Sequence, residues 1–369
     1  MMRICFALED DSTRSGITKV VVNLANLMAA KNTIYDVHIL YISTITGKLE
    51  PFLHNKIIQD SLNVKGNKYA HYMGAATKIK QYLSNKHIQV FVISGMEFVL
   101  PFFIGTRNFR TKKLKVSMFA WEHRNFGAGP KFRLEWIGKR LACKYFDGII
   151  NITKRDYILY RQYSSTARLN QIYNVCRLNE TFKEQQACYD INSKRIISVG
   201  YLMPIKGFDI LIKVAAKILP QYPDWSWDIY GDGILREQLQ NEIVKANLQD
   251  QLILKGWRDD LAELYHEYSF YVMTSRMEGF GMVLIEAQKN KLPIVSFDIP
   301  CGPSDTVANG RNGFLIPPFE VDAMANRISE LICNSQMRKD FSEHAEDYHE
   351  EMQNEYILEK WQNMLEHTK

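Results

Sequence analysis

The stretch SRMEGFGMVLIEAQ, residues 275–288, follows the apolar run FYVMTS (270–275) and opens into the helix-like run MVLIEAQKN (282–290). It reads as strand, loop, helix. In such a unit the loop amides and the helix N-terminus face open space and favour an anion. Yet the stretch carries two carboxylates, Glu278 and Glu286, on either side of a Gly-Phe-Gly turn. A phosphate suits that position; a pair of acids does not.

Working outward, the same alternation of short apolar runs and helical patterns fills the chain. The first half offers RICFAL (3–8), DVHILYI (36–42), QVFVIS (89–94), KVSMFA (115–120), GIINI (148–152) and NQIYNV (170–175) as strands. The second offers RIISVG (195–200), SWDIYG (226–231), QLILKG (251–256), FYVMTS, PIVSF (293–297) and GFLIP (313–317). Apolar residues at helical spacing fall between them, as in ITKVVVNLANLMAA (17–30) and FDILIKVAAKIL (208–219). Strands alternating with helices imply parallel sheets covered on both faces. Two successive sets predict two Rossmann-like α/β domains, over 1–180 and 190–350, with the polar stretch 177–194 as linker and a last helical run, 351–369, that could cross back to the first domain. Ligands of such sheets sit beyond the carboxyl ends of the strands, so two domains facing each other would place the site in the cleft between them.

A chain of 369 residues exceeds what one core usually fills, and 46% hydrophobic with 24% charged residues describes a soluble globular protein. Six scattered cysteines without a CxxC pair argue against structural zinc and disulfides and fit a reducing cytoplasm. The N-terminus meets acids too early for a secretion signal, and VFVISGMEFVLPFFIG (90–105) is interrupted by Gly95, Glu97 and Pro101, which predicts a buried strand and a short helix rather than a membrane span.

The net charge of +5 is uneven. Between residues 105 and 170 fifteen Lys and Arg face four acids, so the segment is +11 and the remainder −6. No nucleic-acid-binding motif accompanies this excess. The run KFRLEWIGKRLACKYF (131–146) mixes Phe132, Leu134, Trp136, Ile137 and Leu141 with Lys131, Arg133, Lys139, Arg140 and Lys144. It has the composition of an interfacial helix on an anionic membrane, or of a sheet-covering helix with a basic outer face.

No GxGxxG follows the first strand; the turn EDDSTRSGITKV holds Gly16 alone, which speaks against a dinucleotide oxidoreductase. Instead SGITKVVVNLANLMA, WEHRNF (121–126), VGYLMPIKGFDILI (199–212), DIYGDGILREQL (228–239), SRMEGFGMVLIEA and GPSDTVANGRNGFLI (302–316) occur in that order. Together these resemble glycosyltransferase family 4, retaining enzymes of the two-domain GT-B fold, along nearly the whole chain. The resemblance is most marked from Arg195 to Pro317.

The resemblance implies roles. Glu286 would accept hydrogen bonds from the ribose of a nucleotide sugar and Glu278 would lie beside the transferred sugar. The backbone of Gly279, Phe280 and Gly281 would approach the sugar and diphosphate, and Lys206 would bind phosphate. The chemistry agrees, since a carboxylate accepts from a diol and glycines let amides reach phosphate oxygens. Read alone, Glu278 could cap the helix and Glu286 could be a solvated helix residue. His123 would be the active-site histidine, and Gly16 would belong to the loop that approaches the reaction centre, with Ser15 where the family has a second glycine. Tyr201 stands where the family carries a diphosphate-binding arginine; Arg276 or Arg258 could supply the missing charge.

Hydrolases hold their two carboxyls about 5–9.5 Å apart, whereas the eight residues from Glu278 to Glu286 would span about 12 Å of helix. Transfer is therefore favoured over hydrolysis. The resemblance implies that the leaving diphosphate takes the acceptor's proton, with no metal or cofactor required and a nucleotide sugar, UDP-linked, as donor. A lipid-linked saccharide of bacterial surface polysaccharide synthesis, such as O-antigen or capsule, is the implied acceptor, reached at the inner face of the plasma membrane. Two rival readings remain at this level: a nucleotide-sugar 2-epimerase of similar fold and a non-catalytic nucleotide-sugar-binding protein.

Overall fold

The computed structural model of the protein describes residues 1–12, 15–31, 34–65, 68–106, 116–127, 133–176, 189–258, 261–345 and 350–367. The chain divides into two compact units, Met1–Leu178 with Glu350–Lys369, and Asn179–His349. Most of the expected linker, 177–188, lies outside the described residues.

The first unit is built on a parallel sheet of seven strands: β1 (Met2–Leu8), β2 (Tyr35–Tyr41), β3 (Ile58–Ser61), β4 (Val90–Ser94), β5 (Ser117–Glu122), β6 (Gly148–Asn151) and β7 (Leu169–Gln171), in the order β3-β2-β1-β4-β5-β6-β7. Central β4 is VFVIS, apolar almost throughout and buried at every position, because helices cover both faces of the sheet. The sequence pattern missed β3. Three of its four residues, IQDS, are polar and none is buried, Ile58 included, as an edge strand allows. It also overextended β7, which runs from Leu169 to Gln171, so that of the expected 170–175 only 170 and 171 pair.

The helix Asn354–Glu366 packs within this first unit. Trp361 is fully buried against Phe6 and Trp121, with ring centroids 5.8 and 4.9 Å away. Asn354 accepts the Cys176 amide at 3.2 Å.

The second unit carries β8 (Arg195–Val199), β9 (Ser226–Tyr230), β10 (Leu252–Gly256), β11 (Phe270–Met273), β12 (Ile294–Phe297) and β13 (Gly313–Ile316), all parallel, in the order β10-β9-β8-β11-β12-β13. Every strand read from sequence is present. β8 lies beside β11, with Ile196 opposite Phe270 and Ile197 opposite Tyr271. The chain winds outward from β8 in one direction and from β11 in the other, so the β8–β11 seam is the switch point where the loops diverge and leave a crevice.

The helix read at 131–146 runs from Leu134 to Tyr145, with Gly138, Lys139 and Ala142 on its buried face. Lys139, counted by sequence among the outward basic residues, is instead only 1% exposed and lies 3.2 Å from Glu122. Its neighbour explains this. A side chain at Gly138 would run into the Met96 carbonyl, so glycine lets the helix press inward and carries Lys139 with it. Arg133, Arg140 and Lys144 remain exposed. Among the described residues no helix is long and apolar enough to cross a membrane.

Candidate functional site

In the second unit, the loops after β8 and β11 flank the switch point and are sewn to each other. The Arg276 amide donates to the Ile205 carbonyl at 2.8 Å, and its guanidinium donates to the Pro204 carbonyl at 2.7 Å. Gly207 makes this approach possible. Its φ of +67° is left-handed, and a β-carbon there would meet the Thr274 carbonyl oxygen.

Across this seam Lys206 Nζ donates to Glu278 Oε1 at 2.7 Å, and Ser275 Oγ donates to the same oxygen at 2.6 Å. Glu278 does not cap the following helix: the cap is Gly281, at φ +80°, without a side-chain hydrogen bond. The helix Met282–Lys289 thus opens with no acid in its first turn and no side-chain hydrogen bond from its cap residue, an arrangement that suits an incoming anion.

Phe280 is only 3% exposed, so the Gly-Phe-Gly turn presents backbone rather than a ring. Gly302, at φ +105°, packs directly against the Phe280 carbonyl and holds the turn from behind. Gly279 is half-buried. Glu286 is exposed on its helix, with the buried Tyr265 hydroxyl 3.4 Å from its carboxylate. Burial first, and then Glu286, keep that phenol protonated far above its ordinary range, so it serves as a donor.

Arg276 forks onto Asp209, Nη1 to Oδ1 at 2.7 Å and Nη2 to Oδ2 at 2.6 Å. The bidentate bond holds the Asp209 carboxyl below its usual range. The guanidinium that sequence offered as a substitute phosphate ligand is therefore already matched by a carboxylate. Tyr201 stacks on Trp257 with centroids 5.4 Å apart and planes 28° apart. Asp209, Ser275, Gly207, Gly302 and Trp257 were not singled out from sequence; the positive-φ glycines had a signal, the KG and GP dipeptides beside strand ends.

In the first unit, His123 follows the last residue of β5. Its ring lies 4.5 Å from that of Trp121, and its Nε2 is buried without a hydrogen-bond partner among the described residues. Burial drives the imidazole pKa down to about 3, so near neutrality it is an uncharged hydrogen-bonding group rather than a cation. Gly16 begins the helix Gly16–Lys31, whose Thr18 amide is capped by Ser15 Oγ at 3.3 Å; the direction a β-carbon would take from Gly16 is open. Ser15, in the place of a glycine, thus has a capping role.

Residues 180–348 match the family described as Glycosyl transferases group 1. An uncharacterized glycosyltransferase of Haemophilus influenzae is 26% identical over 99% of this chain and 100% of its own. The amylovoran biosynthesis glycosyltransferase AmsD of Erwinia amylovora is 23% identical over 99% of this chain and 100% of its own. Among solved structures, a variant of S. aureus TarM in complex with Fondaparinux, alpha-GlcNAc-glycerol and UDP superposes with a TM-score of 0.80 over 99% of each chain, at 17% identity. The second unit is thus similar along its length to glycosyl transferases group 1, and the chain has the fold of the GT-B glycosyltransferases on which it superposes.

Proposed function

We propose that this protein is a retaining glycosyltransferase of family 4 that moves a hexose or N-acetylhexosamine from a UDP-sugar to a lipid-linked saccharide during bacterial surface polysaccharide synthesis. The observation that carries the reading is the Lys206–Glu278 pair at the β8–β11 switch point, beside a helix N-terminus free of acids. An ammonium and uncapped amides suit the diphosphate; Glu278, held in place by Lys206 and Ser275, is an acceptor for hydroxyls of the transferred sugar. Glu286 is the ribose ligand, and Gly279, Phe280 and Gly281 supply backbone to the diphosphate. Tyr201 and Gly16 are further donor contacts, and Glu278 and His123 are the catalytic groups. The donor enters as a substrate, with no metal or cofactor assigned.

TarM, solved with UDP and alpha-GlcNAc-glycerol, supports the donor class, and the role of AmsD in amylovoran synthesis supports the polymer class. Exposed Arg133, Arg140 and Lys144 support peripheral contact with the inner face of the plasma membrane. The test is a thermal-shift panel of UDP, GDP, ADP and their sugars, followed by transfer assays with the nucleotide sugar that stabilises most. Stabilisation by UDP and transfer to a lipid-linked saccharide are expected. Turnover of UDP-N-acetylhexosamine without acceptor would show an epimerase instead, and no shift with any nucleotide would overturn the reading.

A further inference from the structure

The loop that carries His123 rests on a buried charge cluster that the proposed chemistry does not use. Lys139 reaches it from the helix Leu134–Tyr145, and its Nζ donates to the Asn125 carbonyl at 2.7 Å and to the Phe126 carbonyl at 3.0 Å, with Glu122 Oε2 as its ion-pair partner at 3.2 Å. The ammonium thus holds the loop by two hydrogen bonds while a carboxylate balances its charge. The remaining groups grip the same five residues from the other side. Glu122 accepts from the Arg124 amide at 3.2 Å and from the Tyr160 hydroxyl at 2.7 Å. Asp156 accepts from the Phe126 amide at 2.5 Å and from Asn151 Nδ2 at 3.1 Å.

Burying an ammonium is costly, and an apolar residue of the same length would fill the space at less expense. What Lys139 supplies that an apolar residue cannot is a pair of bonds to two successive carbonyls of a loop without regular secondary structure. We infer that Lys139 is a positioning residue whose ammonium clamps the Glu122–Phe126 loop and thereby fixes the place of the His123 imidazole and keeps its Nε2 buried. This rests on the reading of His123 as a catalytic group.

The test compares wild type with Lys139→Met and with the paired variant Glu122→Gln/Lys139→Met, which removes both members of the ion pair and leaves Asp156, bonded to the Phe126 amide and to Asn151, as the remaining acid of the cluster. Imidazole NMR shifts of His123 are followed from pH 5 to 7.5 alongside circular dichroism, and transfer kinetics are measured with and without His123→Ala. In wild type the ring stays neutral across this window, its pKa being pushed down to about 3. In the folded paired variant the clamp is gone, water reaches the ring, and it begins to charge within the window, towards the ordinary value of about 6.5. Transfer kcat falls at least tenfold with donor KM unchanged, and the loss disappears in the His123→Ala background. A His123 ring that stays neutral in the folded paired variant, or a kcat loss that simply adds to that of His123→Ala, overturns the inference. If His123→Ala leaves transfer intact, the catalytic reading of His123 fails, while the NMR arm still decides the clamp.

Discussion

Lys206 and Glu278 lie 72 residues apart in sequence, yet their side chains meet at 2.7 Å because β8 and β11 are neighbours in the sheet. Both are only partly accessible, 20% and 10% exposed, and Ser275 bonds the same carboxylate oxygen. The pair is thus preorganised without being deeply buried. Lys206→Met should lower transfer about 10²–10³-fold, the usual effect of removing one donor to a developing negative charge. It should cost stability only about 1 kcal/mol. Glu278→Gln keeps the hydrogen bonds but not the charge, so nucleotide affinity should persist while kcat falls. Calorimetric titration with UDP alongside initial rates separates the two effects.

Two glycines give opposite expectations. Gly207 has a left-handed φ and stands against the Thr274 carbonyl, so Gly207→Ala must push the loops after β8 and β11 apart. A loss of about 1–3 kcal/mol is expected, with weakened nucleotide binding. Gly16→Ala meets no atom within 4 Å and lies at a helix start, so its stability should hold or rise by a few tenths of a kcal/mol. If Gly16 admits a ligand to its backbone, transfer should fall all the same. Denaturant unfolding of both variants, with UDP titration of the first and rates of the second, checks the contrast.

Sequence made one half of this site legible and not the other. The apolar runs of all six strands of the second unit were readable because most of their positions are buried, in β11 and β12 at every position. The loops between their ends were marked by KG, GDG and GFG. Polar β3 escaped because an edge strand need not be apolar, and Lys139 was misplaced because helical spacing does not show that Gly138 draws its neighbours inward. Pairings such as Arg276–Asp209 depend on which loops the topology brings together, and a list of charged residues does not contain that.

Two titratable groups of the first unit, half-buried His123 and fully buried Asp156, give stability opposite dependences on pH. His123 has a folded pKa of about 3, below its unfolded value, so its contribution is full above about 6.5 and is lost as pH falls towards 3. Asp156 runs the other way. Burial, and then Glu122, raise its folded pKa to about 7, so its contribution is present below about 4 and lost as pH rises to 7. Asp156→Asn should therefore flatten the decline in stability between pH 4 and 7 seen after His123 is removed by His123→Phe. The new amide can be accommodated, since Asn151 Oδ1 has no partner among the described residues and a flip would make it an acceptor. Urea unfolding across that range, with His123→Phe alone and combined with Asp156→Asn, gives the slopes.

Tyr201 stacks on Trp257 at the position where the resemblance leads one to expect an arginine, and Arg276, the nearby substitute, is held by Asp209. Lys206 is then a cation at the switch point whose charge is shared with Glu278. Tyr201→Arg should restore a second cation while keeping a planar group that can lie on the indole. Losing the ring pair costs about 0.5–1.5 kcal/mol of stability. The gain in UDP affinity should be about tenfold at low salt, equivalent to about 1.4 kcal/mol, and should shrink as ionic strength rises because the new guanidinium is partly exposed. Titrations at two salt concentrations distinguish this from a general repair of folding, which would be insensitive to salt. Unchanged affinity at both would mean that charge at this position does not limit nucleotide binding and that the Tyr201–Trp257 stack meets a different part of the donor.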